Sequence, residues 1–324
     1  MVRLFVILLG LTALSAPALA QAPNTATQTV DTMNKMWGRH PGQRANHAVG
    51  VVVEGSFVAT PEAAKLSKAV LFSGKPVPMT VRFSNATGMV NLADAADAAN
   101  PHGMAMRFRP EGAPPVDVGL ISLPYFPVAT GEEFAALLLA ASESPPDAPK
   151  PSKIEQFVAT HPAVAKAGET VKTPTSFARE TYNGINAFIF VNAAGDRQPF
   201  RYQFQPVAGP EHLDKEAAAK MEPDFLRKEL PERLAKGPVQ FRVMAQVANT
   251  GDSTKDPTQA WPSDRRMVEL GTVTLTSTAP DQDKASRDLR LLPSQLEPGI
   301  EVSDDPIINA RVSSYVVSFG RRAQ

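Results

Sequence analysis

Cysteine is absent from this 324-residue chain. Its absence excludes disulfides, thiolate metal ligands, zinc–thiolate centres and thioether attachment of a cofactor. Net charge is missing too, since 33 Lys and Arg balance 33 Asp and Glu. No global field therefore draws in nucleic acid. The sequence shows no internal repeat, and past its first twenty residues no run is long and apolar enough to span a bilayer. What is present is 43% hydrophobic content, enough to bury a full core, and 30 prolines, which suit a loop-rich fold with proline at turns and strand ends. The one low-complexity stretch, Ser142 to Pro151, reads as an extended connector.

The N-terminus carries an export pattern. Arg3 gives a positive start, Leu4 to Leu14 an apolar run too short for a membrane span, and Ala18-Leu19-Ala20 an A-x-A cleavage site before Gln21. The pattern predicts a signal peptide over residues 1–20, one folded domain over 21–324, and a periplasmic or secreted product.

β-Branched and aromatic enrichment predicts strands at Ala48 to Val53, Met79 to Phe83, Met104 to Phe108, Val116 to Ile121, Phe188 to Val191, Phe200 to Phe204, Val239 to Val247 and Val268 to Leu275. Ala193 to Asp196 reads as a hairpin turn between two of them. Helices are predicted at Glu132 to Ala141, Pro210 to Lys220, Phe225 to Ala235 and Pro306 to Val316. The class is α+β, and the strand count alone fits a closed barrel or a sandwich equally well.

The last helix carries the first chemical signal. Arg311 and Tyr315 stand four residues apart beyond Pro306, which places both side chains on one helical face. A guanidinium beside a phenol favours the phenolate, an anionic oxygen able to ligate ferric haem iron.

The N-terminal third strengthens that signal. Arg44-Ala45-Asn46-His47-Ala48-Val49-Gly50, Val81-Arg82-Phe83-Ser84, His102-Gly103-Met104-Ala105-Met106-Arg107-Phe108 and Arg311 to Tyr315 follow one another in an order that resembles the haem catalases. Ser176-Phe177 through Phe188, and Asp256-Pro257-Thr258 through Gly271-Thr272, agree with it. The resemblance runs from about residue 40 onward and is strongest to the short catalase-related peroxidases.

That resemblance implies an antiparallel β-barrel of about eight strands with surrounding helices, enclosing haem b. It implies His47 as the distal acid–base group, Ser84 as its hydrogen-bond partner, Arg44 and Arg82 on the haem propionates, Phe134 over the distal pocket, and Tyr315 as the iron ligand kept ionised by Arg311. Arg322 falls where a third propionate arginine is expected, although the reading favoured for it is an exposed arginine near the end of the sequence. One stretch departs from the family. Catalases have an asparagine pair before T-P, whereas this chain reads Gly119-Leu120-Ile121-Ser122-Leu123-Pro124, so aligning the proline puts Ser122 at the distal asparagine. Losing that amide is expected to weaken catalase turnover more than O–O cleavage, because positioning of the second peroxide contributes heavily to it. The expected activity is a peroxidase using peroxide and small organic electron donors. The alternatives are a hydroperoxide-rearranging haem enzyme of the allene oxide synthase kind and a non-catalytic haem or lipid carrier.

Overall fold

The computed structural model describes residues 24–322, so the signal-peptide expectation lies outside the described residues. Among the described residues there are twelve strands: β1 Gly50–Ala59, β2 Val77–Asn85, β3 His102–Phe108, β4 Val116–Ile121, β5 Thr173–Pro174, β6 Tyr182–Asn183, β7 Phe188–Val191, β8 Arg197–Pro206, β9 His212–Leu213, β10 Val239–Val247, β11 Met267–Thr278 and β12 Ile300–Val302. The helices are α1 Thr25–Trp37, α2 Pro61–Leu66, α3 Gly131–Ser142, α4 Lys153–Thr160, α5 Pro162–Glu169, α6 Lys215–Ala218, α7 Phe225–Lys236, α8 Gln282–Asp288 and α9 Pro306–Arg322.

The sheet order β10-β11-β1-β2-β3-β4-β6-β8 closes through a β8–β10 pairing into an eight-stranded antiparallel barrel, with β7 and β12 appended at β8. Closure decides between the two architectures that the strand count permitted, since a sandwich leaves edges that this ring does not have. The β7–β8 turn at Ala193 to Asp196 forms the expected hairpin, with Gly195 at φ 90° supplying the left-handed residue.

Strand periodicity sorts side chains into two faces. Val51, Val53, Val81, Phe83, Met104, Met106, Val118 and Leu120 point inward and form the barrel core with Phe177, Tyr182 and Phe241. The opposite face of β1 to β4 carries Val52, Arg82, Ser84, Gly103, Ala105, Gly119 and Ile121, in cross-strand register Gly50↔Ser84, Ser84↔Gly103, Gly103↔Ile121 and Arg82↔Ala105. β2 is buried on both faces except at Pro78, because the chain also covers its outer side.

The helices differ from expectation in several places, and α2, α4, α5 and α8 went unpredicted. Residues 210–220 form only the short strand β9 and the one-turn helix α6, where the alanines and lysines of a helical composition give way to pairing with β5. Helix α1 went unpredicted; it is capped by Asn24, whose side chain accepts from Thr27 N–H at 2.9 Å, and its apolar side packs on α3 and α9. α9 runs two turns beyond Val316, to Arg322, and Asp305 opens it by accepting from Ile307 N–H at 2.9 Å.

Candidate active site on the outer barrel face

His47 enters the site from the loop before β1 in a left-handed conformation, φ 57°, the one such non-glycine residue among the described residues. A histidine at positive φ is held there by its surroundings, and such positions concentrate at functional sites. Its Nδ1 lies 3.0 Å from Ser84 Oγ. Gly103 makes the space: a Cβ there would come within 3.0 Å of both the His47 ring and Ser84 Oγ. The imidazole is only half-buried by surface, yet it lies deep among protein atoms. Burial first, then the cations Arg82, Arg44 and Arg311, push its pKa down to about 3. It is a neutral base across the physiological range.

Arg82, on the same face as Ser84, is 4% exposed; it donates through Nε to Ser286 Oγ at 3.1 Å and through its guanidinium to the Ala48 carbonyl at 3.0 Å. Arg44 donates to the same Ser286 Oγ at 3.0 Å and to the Leu289 carbonyl at 2.7 Å. Arg322, at the end of α9, joins them. It is 8% exposed, donates to the Arg287 carbonyl at 3.1 Å, stacks over the Phe319 ring at 4.5 Å, and leaves Nε without a partner. The structure therefore corrects the reading of Arg322 as an exposed terminal residue. Carbonyls at the C-terminal end of α8, where the helix dipole is negative, hold Arg44 and Arg322, and the Ser286 hydroxyl of the same helix accepts from Arg82. No carboxylate pairs with any of them among the described residues. Burial, then mutual repulsion, lowers all three: Arg82 to about 9 with Arg322 adding to the effect, Arg322 to about 10 with Arg290 adding, and Arg44 well below its ordinary value with Arg82 and Arg322 adding.

On α9, Arg311 Nε donates to the Tyr315 hydroxyl at 3.1 Å, and its guanidinium bonds the Asn186 side-chain oxygen. Asn186 in turn donates to Asp305 at 2.7 Å, which ties the start of α9 to the barrel. Gly119 gives the guanidinium room, since a Cβ there would stand 2.6 Å from it. Tyr315 is 37% exposed. Asn186, Ser286, Gly103 and Gly119 were not singled out in the sequence, where nothing local distinguishes them.

Two further predicted positions, Ser122 and Phe134, are tied into the surrounding structure. Ser122 follows the last residue of β4, and its hydroxyl accepts from the His102 backbone N–H at 3.0 Å while its own N–H donates back to the His102 carbonyl at 2.9 Å. The hydroxyl completes the β3–β4 ladder, and the strand pleat turns Ser122 away from the face of Ser84 and Gly103. Ile121, paired with Gly103, holds the position on that face. Phe134, on α3, packs 5.4 Å from Phe126 and joins a small apolar cluster with Val30, Met33, Ala45 and Leu138.

Cleaving a peroxide calls for a neutral base that can shuttle one proton, and this face presents it beside an arginine-rich, carboxylate-free pocket. Fold and site together define an oxidoreductase that acts on peroxide. The sequence model of the catalase family matches residues 23–322, and the chain belongs to that family. It is 34% identical to a catalase-related peroxidase of Synechococcus elongatus over 93% of this chain and 89% of that protein. It is 35% identical to a catalase-related peroxidase of Mycolicibacterium paratuberculosis over 91% of this chain and 93% of that protein. Among solved structures, catalase A from Saccharomyces cerevisiae superposes with a TM-score of 0.78 at 21% identity, covering 88% of this chain; the chain spans 62% of that longer protein.

Catalase-family membership implies haem binding, and the residues present fit such a group. Three buried cations without a counter-ion, one with an unpartnered Nε, call for an anionic ligand, and the two propionates of haem are one.

Proposed function

We propose that the protein is an exported haem b peroxidase that reduces hydrogen peroxide or organic hydroperoxides with small external electron donors, with weak catalase activity. The observation that carries this reading is the gathering of Arg44, Arg82 and Arg322 without a carboxylate beside the face that holds His47 and Ser84. When bound, the haem would polarise the peroxide at its iron and carry the two oxidising equivalents that the peroxide provides to the donors. The net reaction is ROOH + 2 AH → ROH + H2O + 2 A•, with each donor losing one hydrogen atom.

The residues of this chain divide that work. Arg44, Arg82 and Arg322 hold the propionates by charge-assisted hydrogen bonds. Tyr315 offers its phenolic oxygen to the iron, and Arg311 places an N–H donor on that oxygen while Asn186 fixes the guanidinium from behind. Ser84 holds the His47 ring through Nδ1, which leaves Nε2 as the atom that takes the proton from the near peroxide oxygen and delivers it to the leaving oxygen. Burial and the neighbouring arginines keep the ring in its neutral, acceptor form at some cost in basicity.

Absence of cysteine excludes thioether attachment, and we expect the haem b to be held non-covalently, so that acid-acetone extracts it from the purified protein. Failure to find a protoporphyrin IX iron complex in the extract refutes the assignment. Export rests on the Arg3-to-Ala20 leader pattern.

A further inference from the structure

Away from the His47 face, one recess has the size and the walls to hold a small aromatic molecule. It is lined by Trp37 at the end of α1, by His40, and by Met89, Val90, Asn91 and Leu92 of the loop after β2, and its volume is about 300 Å³. Sites that hold small organic ligands run from roughly 300 to 1,000 Å³, so this one suits a single ring. Its walls are an indole, a thioether and two branched hydrocarbons, all of which pack well against an aromatic face. One polar group is fixed among them. His40 Nε2 lies 3.0 Å from the Trp37 carbonyl, which can only accept, so Nε2 carries the ring proton and Nδ1 is the acceptor. The recess backs onto the loop that carries Arg44 and His47. Gly88 is the spacer: a Cβ there would stand 2.4 Å from the Ala45 carbonyl and 2.9 Å from the Trp37 ring, so loop and indole press on the same bare backbone. The indole also packs against the apolar cluster of Val30, Met33, Ala45 and Leu138.

We propose that this recess is the electron-donor site of the protein and takes a phenolic donor, with its ring against Trp37 and its hydroxyl on His40. The proposal rests on the peroxidase reading above and goes beyond it in assigning the donor's chemical class and the place where it binds. The step balances with that reaction. The phenolic O–H bond breaks, its proton passes to His40 Nδ1, and one electron leaves on the Trp37 side to fill one of the two oxidising equivalents that the peroxide provides; a neutral phenoxyl radical remains. Two phenols are oxidised for each peroxide reduced. His40 returns each proton to solvent, from which the alcohol and water formed on peroxide reduction take the two they need. A base on the hydroxyl matters because a phenol gives up its electron more readily as its proton leaves. Binding on the indole brings the donor against the wall of the site that holds Arg44 and His47, without entering the His47 face itself.

The test compares wild type with Trp37→Leu, His40→Leu and Val90→Trp, all as haem-loaded protein normalised to haem. The first readout involves no turnover: calorimetric titration of the resting protein with phenol and with anisole, its methyl ether, which has the ring but no hydroxyl proton. Wild type is expected to bind phenol about fivefold more tightly than anisole, the order of one hydrogen bond, and His40→Leu to lose that preference. Trp37→Leu, which removes the indole wall, and Val90→Trp, which fills the recess, are expected to weaken both ligands about fivefold or more. The second readout is the ratio of kcat/KM for hydroquinone to that for ferrocyanide, a donor with neither ring nor hydroxyl, at one peroxide concentration. That ratio is expected to fall about fivefold or more in all three variants. Val90→Trp keeps Trp37 in its packing and stands in if Trp37→Leu does not fold. Phenol binding and a donor ratio that are the same in wild type, His40→Leu and Val90→Trp overturn the inference while leaving the peroxidase reading intact. A wild-type protein that binds haem but oxidises neither donor with peroxide overturns the peroxidase reading and the inference with it.

Discussion

His47 Nδ1 and Ser84 Oγ stand 3.0 Å apart, with the ring laid over a glycine and its backbone at φ 57°. The serine thus orients a base that the backbone alone leaves strained. Ser84→Ala is expected to lower kcat/KM for peroxide by roughly five- to tenfold, the order of one lost hydrogen bond, with Ser84→Thr restoring most of it. His47→Ala removes the proton shuttle itself and is expected to cost roughly two to four orders of magnitude while haem stays bound. Stopped-flow kinetics at fixed haem content measure both. A His47→Ala protein as fast as wild type contradicts the assigned role.

The arginine cluster predicts opposite effects in the two states of the protein. Arg322→Gln removes one of three buried like charges, so the haem-free protein is expected to melt at a higher temperature than wild type. The same change removes a propionate partner and is expected to weaken haem retention by roughly tenfold or more, in line with a hydrogen bond to a charged group. Melting curves of the apo-protein and haem transfer to apomyoglobin check the two halves. A variant that destabilises the apo-protein and keeps its haem shows the arginine to be structural.

Acid stability follows from two histidines. His102 is fully buried against Phe177 with both ring nitrogens unpartnered; burial, then His212, brings its pKa down to about 3, as burial and the arginines do for His47. Both rings are neutral when folded and protonate more readily when unfolded. The stability they contribute is full above about pH 6.5, the ordinary histidine value, and is lost as the pH falls toward 3. Denaturant melts of the apo-protein from pH 8 to pH 4 are expected to be flat down to about 6.5 and then to decline. His102→Phe removes one titrating group and two unsatisfied atoms, and is expected to flatten the decline. An unchanged pH profile in that variant contradicts the assignment.

Export has a direct check. N-terminal sequencing of protein from the native host is expected to begin at Gln21 or within a few residues of it. Recovery of Met1 refutes the signal peptide.

Most of the barrel was legible in the chain because strand signals are local. Val116–Ile121, Phe188–Val191 and Val239–Val247 have the ends that composition predicts. What was not legible depended on register and on contacts distant in sequence. The proline in Leu123-Pro124 suggested Ser122 for the site, but a one-residue step along a strand exchanges faces, and only pairing with Gly103 shows Ile121 to be the residue on the face of Ser84 and Gly103. Arg322 looked terminal and exposed because the carbonyls that hold it come from residues 286–289, brought close by the fold alone. Asn186 carries no chemical signal in sequence and gains one only as the link between Arg311 and Asp305.

The most direct test of the central claim is the absorption spectrum of purified wild-type protein set beside that of Tyr315→Phe. Wild type is expected to show the bands of ferric haem ligated by a tyrosine oxygen, and Tyr315→Phe to lose the haem or change its spectrum, because the variant removes the one proposed oxygen ligand while leaving the arginines in place. A Tyr315→Phe protein with full haem content and an unaltered spectrum contradicts the account.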